Sequence, residues 1–133
     1  MRVDLARDGF TGELYALYDQ FLITGELYTL SLVKTKVWYI GDSLSPLHGH
    51  PFTTYDSDND EDTAKNCADT LKGGWWFDNC GTKDNSETGL VYSNLNGEYG
   101  MKMTTLSFVR GIVWSQYQGH VFTKAEMKMR RKI

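Results

Sequence analysis

Residues near both ends of the chain alternate between apolar and polar side chains. Residues 27–33 place Tyr28, Leu30 and Leu32 on one side, and residues 125–130 alternate Ala, Met and Met with Glu, Lys and Arg. A period of two is typical of a β-strand with one buried face and one face in solvent. The pattern therefore predicts two strands, and the cations of the second lie on a solvated strand face rather than in a basic tail.

Two further apolar segments cover residues 14–23 and 111–114, and turn residues such as Asn96-Gly97 separate the segments. Together these segments predict an antiparallel, sheet-centred core. The middle of the chain differs, because Gly, Asp, Asn and Ser dominate it without clear periodicity. Backbone of that length needs outside help to stay ordered. Either a disulfide closed by Cys67 and Cys80 or a bound cation would supply it.

The composition limits the classes of function. The 133 residues form one domain, and 14 Lys+Arg against 17 Asp+Glu give a net charge of −3. Because the largest basic block is residues 130–132, the chain lacks the positive surface that nucleic-acid binding requires. No apolar run reaches the ~18 residues of a membrane span. Residues 1–8 carry charge where a signal peptide has its apolar core, so we expect no export signal within this chain.

An acidic run, residues 56–62, holds five carboxylates in seven positions. Oxygen ligands converging on a tight loop suit calcium, which accepts six to eight of them. The run is not an EF-hand, because Glu61 stands where that loop requires Gly and Cys67 where it requires Glu. A solvated acidic turn remains the alternative to a calcium site.

Three other motifs have competing interpretations. Residues 41–44 spell Gly-Asp-Ser-Leu, the tetrapeptide of a family of serine esterases, and would make Ser43 a nucleophile; however, no Asp-x-x-His pair supplies its base. His48 and His50 offer two imidazoles to a metal, or simply form a polar loop. The Trp-Trp-Phe run at residues 75–77 either stacks on a sugar or fills the core, and we expect at least one Trp to be buried.

Several motifs in one order resemble the fibrinogen C-terminal domain family, which includes ficolins, tachylectins, tenascins and angiopoietins. The similarity covers nearly the whole chain, and its motifs are residues 51–60, 66–68, 73–77, 79–80, 94–97, 111–114 and 126–130. The resemblance implies an α+β fold with a twisted antiparallel sheet and a loop-rich calcium-binding region. Residues 1–50 and 101–133 would form the sheet core and residues 51–100 the calcium and ligand region. The N-terminal third of the family domain has no counterpart before Met1, so we expect a fragment or a truncated relative.

The resemblance also implies a calcium site. Asp58 and Asp60 would give side-chain oxygens, and backbone carbonyls near Asp62 and Ala64 would complete the shell. Cys67 and Cys80 match the family's local disulfide. In the family the peptide bond before the second cysteine is cis, which makes the bond between residues 79 and 80 its expected counterpart, although a cis non-proline bond costs ~3 kcal/mol.

The family's lectins bind acetyl groups beside the second cysteine. Carried over residue by residue, this pocket would be formed by Leu71, Asn79, Cys80, Gly81, Phe108, Val109 and His120. Gly81 replaces the His of ficolin-like lectins, and His120 stands where an Arg or Tyr is usual. Backbone N–H groups would bind the acetyl carbonyl and Phe108 would face its methyl group.

The resemblance therefore implies a secreted, extracellular, non-catalytic recognition module. The first hypothesis is a calcium-dependent lectin for acetylated carbohydrates in innate immunity. The second is a module that binds a protein receptor in adhesion or signalling, as in angiopoietins or tenascins. Homo-oligomers would form through the missing upstream region. The third hypothesis is a serine esterase of the Gly-Asp-Ser-Leu type.

Overall fold

The computed structural model of the chain describes the backbone of residues 1–38, 40–80, 91–99, 110–117 and 121–131, and within these ranges the side chains of all but residues 34–38. Its strands are β1 (Arg2–Arg7), β2 (Leu14–Thr24), β3 (Thr29–Trp38), β4 (Ser93–Asn94), β5 (Val113–Trp114) and β6 (Phe122–Lys128). One α-helix, α1, covers Cys67–Leu71, and 3₁₀ turns cover Ser45–Leu47 and Ser115–Tyr117.

Four strands form an antiparallel sheet in the order β3-β2-β1-β6. Val3 lies opposite Ala16 on one side and opposite Met127 on the other, so the two ends of the chain meet on β1. Alternate residues along the strands, such as Val3, Ala16 and Leu30, are buried. The predicted antiparallel sheet and the predicted strands at both ends are therefore confirmed, and burial of one face explains the period of two.

The expected pattern is wrong at two strand ends. Tyr28 lies in the turn before β3 with φ of 52° and 64% of its surface exposed, because the chain reverses over Gly25 to Tyr28. Left-handed backbone at this point takes Tyr28 out of the strand alternation. Met129 follows the end of β6 and is 63% exposed. Neither side chain therefore joins the core.

Tryptophans connect the loop-rich region to this core. Trp75 and Trp76 are both buried, so the prediction of at least one buried Trp is confirmed, and Phe77 is buried beside them. The Trp75 indole N–H donates to Ser93 Oγ at 3.3 Å, and that of Trp76 donates to the Tyr28 carbonyl at 2.8 Å. Buried indoles need such partners. The Trp-Trp-Phe run is thus a packing element that holds separate segments together.

None of the helices in the described ranges is long and apolar enough to cross a bilayer.

Candidate functional site

A short helix and a disulfide border the acidic loop. Asn66 caps α1, because its Oδ1 accepts a hydrogen bond from the Asp69 N–H at 3.1 Å, and its Nδ2 donates to the Thr54 carbonyl at 2.9 Å. Cys67 and Cys80, the expected pair, form a disulfide with 5.4 Å between their Cα atoms. The loop therefore ends at a helix that is attached both to residue 54 and, covalently, to residue 80.

The aspartates of the loop accept hydrogen bonds in a regular series. Asp58 Oδ1 accepts the N–H of residue 60 at 3.4 Å, Asp60 Oδ1 accepts that of Asp62 at 2.9 Å, and Asp62 Oδ1 accepts that of Ala64 at 3.0 Å. The second oxygen of Asp60 accepts the Cys67 N–H at 2.9 Å. Asp60 thus connects the middle of the loop to the first residue of the disulfide.

Asn59 anchors the loop on its other side. Its N–H donates to the Thr53 hydroxyl and its Nδ2 to the Phe52 carbonyl, both at 3.0 Å. Thr53 is buried and pairs with Trp75 through two backbone hydrogen bonds. Asn59 therefore attaches the loop to the buried Thr53–Trp75 pairing. It stands in the sequence between Asp58 and Asp60, the two expected calcium ligands.

Negative charge accumulates in this loop. Burial raises the pKa of the Asp60 carboxyl to about 6, and the negative charge of the neighbouring Asp58 acts in the same direction. The hydrogen bonds from the N–H groups of residues 62 and 67 lower this pKa but do not outweigh the two effects. Among the described residues, no Lys or Arg forms an ion pair with Asp58, Asp60 or Asp62. Two neighbouring carboxylates without a cationic side chain fit a hard cation such as calcium.

The structure describes only part of the expected acetyl pocket. Leu71 and Cys80 are buried and Asn79 is half-buried, whereas Gly81, Phe108, Val109 and His120 lie outside the described residues. The expectation of a cis bond between Asn79 and Cys80 is wrong, because this bond is trans. Trans is the lower-energy form of a non-proline peptide bond by ~3 kcal/mol.

The esterase-like tetrapeptide has a structural role. Ser43 is fully buried, and its hydroxyl accepts the Gln116 N–H at 2.9 Å and lies 3.2 Å from the Ser115 hydroxyl. Asp42 accepts hydrogen bonds from the Tyr18 hydroxyl at 2.9 Å and the Ser45 N–H at 3.0 Å. The tetrapeptide therefore joins the sheet to the turn at residues 115–117 and holds no accessible nucleophile.

These bonds set the ionisation of Asp42 and Tyr18. Burial acts to raise the pKa of Asp42, but hydrogen bonds from the Ser45 and Leu44 N–H groups and the Tyr18 hydroxyl outweigh it and hold that pKa below its ordinary value. Burial, together with the Asp42 charge, raises the pKa of the Tyr18 phenol. Asp42 is therefore an ionised acceptor and Tyr18 a neutral donor.

The structure also brings together three residues that the sequence does not connect. Ligand atoms of His50, Glu61 and Asp78 all lie within 4.8 Å of one another. The Glu61 N–H donates to the Asp78 carbonyl at 2.7 Å, which aligns two segments seventeen residues apart. Spacing along the chain offers no signal for such a cluster, because it depends on the way the loop folds back. His48, by contrast, accepts the Leu32 N–H at 3.2 Å and supports the fold.

Comparison with known proteins agrees with this architecture. The family described as "Fibrinogen beta and gamma chains, C-terminal globular domain" matches residues 1–132. Tenascin-R of Rattus norvegicus is 38% identical over 139 residues, covering 100% of this chain and 9% of tenascin-R. Techylectin-5A of Tachypleus tridentatus is 35% identical over 133 residues, covering 98% of this chain and 41% of that protein.

Among solved structures, the fibrinogen-like globe domain of human ANGPTL6 matches with a TM-score of 0.72 at 30% identity, over 93% of this chain and 52% of that one. The chain thus spans about half of that domain and less than half of the two relatives. The family match nevertheless covers nearly every residue, and the sheet, the disulfide and the loop-rich region agree with it. The resemblance seen in the sequence is confirmed: the chain belongs to the fibrinogen C-terminal domain family, whose members are binding modules and not enzymes.

Proposed function

We propose that this chain is an extracellular recognition module that binds acetylated glycans and is stabilised by calcium. The observation that carries the proposal is Asp60, whose carboxylate holds the acidic loop with one oxygen and the Cys67 N–H with the other. A cation bound by Asp58 and Asp60 would relieve the repulsion between them and fix the loop beside the disulfide. Carbonyls near Asp62 and Ala64 would complete its oxygen ligands.

Ligand binding would take place beside the second cysteine. Leu71 and Cys80 are buried and Asn79 is half-buried. Gly81, Phe108, Val109 and His120 would supply the rim, with the phenyl ring facing an acetyl methyl group. The name of techylectin-5A, a relative aligned over 98% of this chain, supports a lectin. A role in innate recognition would follow from such binding.

A receptor-binding module is the second candidate, favoured by the similarity to tenascin-R and to the ANGPTL6 globe domain. In that case the same surface would contact a protein rather than a sugar. A disulfide accords with an extracellular location in either case, because reducing compartments do not maintain such bonds.

Matched pairs of sugars test the first candidate. The oxidised chain is applied to immobilised N-acetylglucosamine and glucosamine, with calcium chloride or with chelator. We expect retention on the acetylated sugar alone and only with calcium, and we expect Asp58→Asn to abolish it. Asp69→Asn is the control, since that carboxylate is exposed on α1 and pairs with Lys72.

Equal retention on both sugars, or on neither, would exclude the acetyl-lectin candidate. Calcium-dependent binding to cell-surface protein without sugar selectivity would support the receptor-binding candidate instead. We expect Asp58→Asn to lower thermal stability in calcium but not in chelator. If its effect is the same in both conditions, as for the control Asp69→Asn, the acidic loop holds no calcium.

A further inference from the structure

A second group of potential metal ligands includes one residue of the acidic loop but none of the aspartates assigned above to calcium. His50 follows the 3₁₀ turn at residues 45–47, Glu61 lies in the acidic loop, and Asp78 precedes the second cysteine by two positions. One ligand atom from each lies within 4.8 Å of the other two. His50 and Asp78 are half-buried and Glu61 is exposed, so the group is open to solvent on one side.

The main chain holds the three residues in place. The Glu61 N–H donates to the Asp78 carbonyl at 2.7 Å. His50 is fixed on both sides, because its N–H donates to the Leu47 carbonyl at 3.1 Å and its carbonyl accepts the Leu30 N–H at 3.0 Å. Because these bonds fix the backbone, rotation of the three side chains would be enough to bring their ligand atoms to the spacing that a metal ion requires. Ligands of a tetrahedral zinc ion lie about 3.4 Å apart, given bonds of about 2.0–2.1 Å.

The donor atoms select the metal. One imidazole nitrogen and two carboxylate oxygens match the ligand types of Zn²⁺, whereas Ca²⁺ takes oxygen ligands and makes little use of imidazole. The aspartates assigned above to calcium, Asp58 and Asp60, are not members of this group. The two sites would therefore be chemically distinct although they share one loop.

We propose that His50, Glu61 and Asp78 bind a zinc ion, with the fourth tetrahedral position open to water or to a ligand. The ion would connect three segments: the turn at residues 45–50, the acidic loop and the segment that ends at the disulfide. Because zinc would bind the folded state and not the unfolded state, its uptake would raise the thermal stability of the protein. The proposal does not depend on the identity of the sugar or receptor.

Zinc chloride titration of the oxidised full chain, in excess calcium chloride, tests the site. We expect one zinc per chain, and an affinity at least about tenfold weaker in both His50→Ala and Asp78→Asn, because loss of even an outer partner of a metal ligand costs about 10–100-fold. His48→Asn is the matched control. It removes a neighbouring imidazole but keeps an acceptor for the Leu32 N–H, so its zinc affinity should be unchanged.

Glu61→Gln keeps the test decisive if a variant of a half-buried residue fails to fold. Glu61 is exposed and its structural bond uses the backbone N–H, so this variant should fold and still lose at least about tenfold in zinc affinity. Near-ultraviolet circular dichroism monitors the fold. Absence of zinc uptake by the unaltered chain in excess calcium, equal affinity in Glu61→Gln, or an equal loss in His48→Asn would overturn the proposal.

Discussion

Asp42 shows how a single residue can stabilise a fold through its charge. Its Oδ1 accepts hydrogen bonds from the Tyr18 hydroxyl and from the N–H groups of Leu44 and Ser45, at 2.9, 3.2 and 3.0 Å. The bonds favour the ionised form and lower the pKa of Asp42 in the folded state. The carboxylate therefore contributes stability above the ordinary Asp pKa, and this contribution disappears as the pH falls through the lower, folded-state pKa.

Replacement of Asp42 tests this linkage. We expect Asp42→Asn to cost about 1 kcal/mol at pH 7, after allowance for partial exposure to solvent, and to flatten the fall in stability as the pH drops below the ordinary Asp pKa of about 4. Urea unfolding at a series of pH values measures both effects. Asp69→Asn, which changes an exposed carboxylate, should leave the slope nearly unaltered. An unchanged slope in Asp42→Asn would show that other groups control acid unfolding.

Elements differ in how far the sequence predicts them. Alternation identifies β3 and β6, because burial of one sheet face selects every second residue, whereas β2 is indicated only by its apolar composition. It fails at Tyr28, where backbone conformation rather than hydrophobicity decides. The acidic loop is visible as a run of carboxylates, but its attachment through Asn59 to Thr53 is not. Hydrogen bonds between distant segments leave no periodic signal in a single chain.

Asn66 connects two elements, and its two functions can be separated. Asn66→Ala removes both the cap of α1 and the bonds from Nδ2 to the carbonyls of Thr54 and Tyr55, and should cost about 2 kcal/mol. Asn66→Asp keeps the capping oxygen and should cost about half as much. Urea unfolding of the oxidised proteins measures the difference. Equal stability of Asn66→Asp and the unaltered chain would mean that the bonds from Nδ2 contribute nothing.

At the scale of the whole molecule, apolar surface remains at the far end of the β2–β3 hairpin. Leu22 is 56% and Ile23 is 49% exposed, and Val33 is also exposed. Exposed apolar side chains of this kind contribute to self-association more than to stability.

A double substitution at Leu22 and Ile23 tests whether these side chains contribute to self-association rather than to stability. We expect Leu22→Gln with Ile23→Gln to reduce concentration-dependent association, measured by light scattering, and to change the free energy of unfolding by no more than about 0.5 kcal/mol. Leu30→Gln is the contrasting variant, because Leu30 is fully buried and the change should destabilise the sheet strongly. Persistent association of the double variant would place the adhesive surface elsewhere.

The indole hydrogen bonds also give the molecule an internal optical reporter. Trp75, Trp76 and Trp114 donate to residues 93, 28 and 41, which belong to three separate segments. Each indole ring is shielded from water only while the segment that accepts its hydrogen bond is packed against it. A red shift in tryptophan fluorescence would therefore show that this segment has separated from the ring. Single Trp→Phe replacements would reveal which segment detaches first.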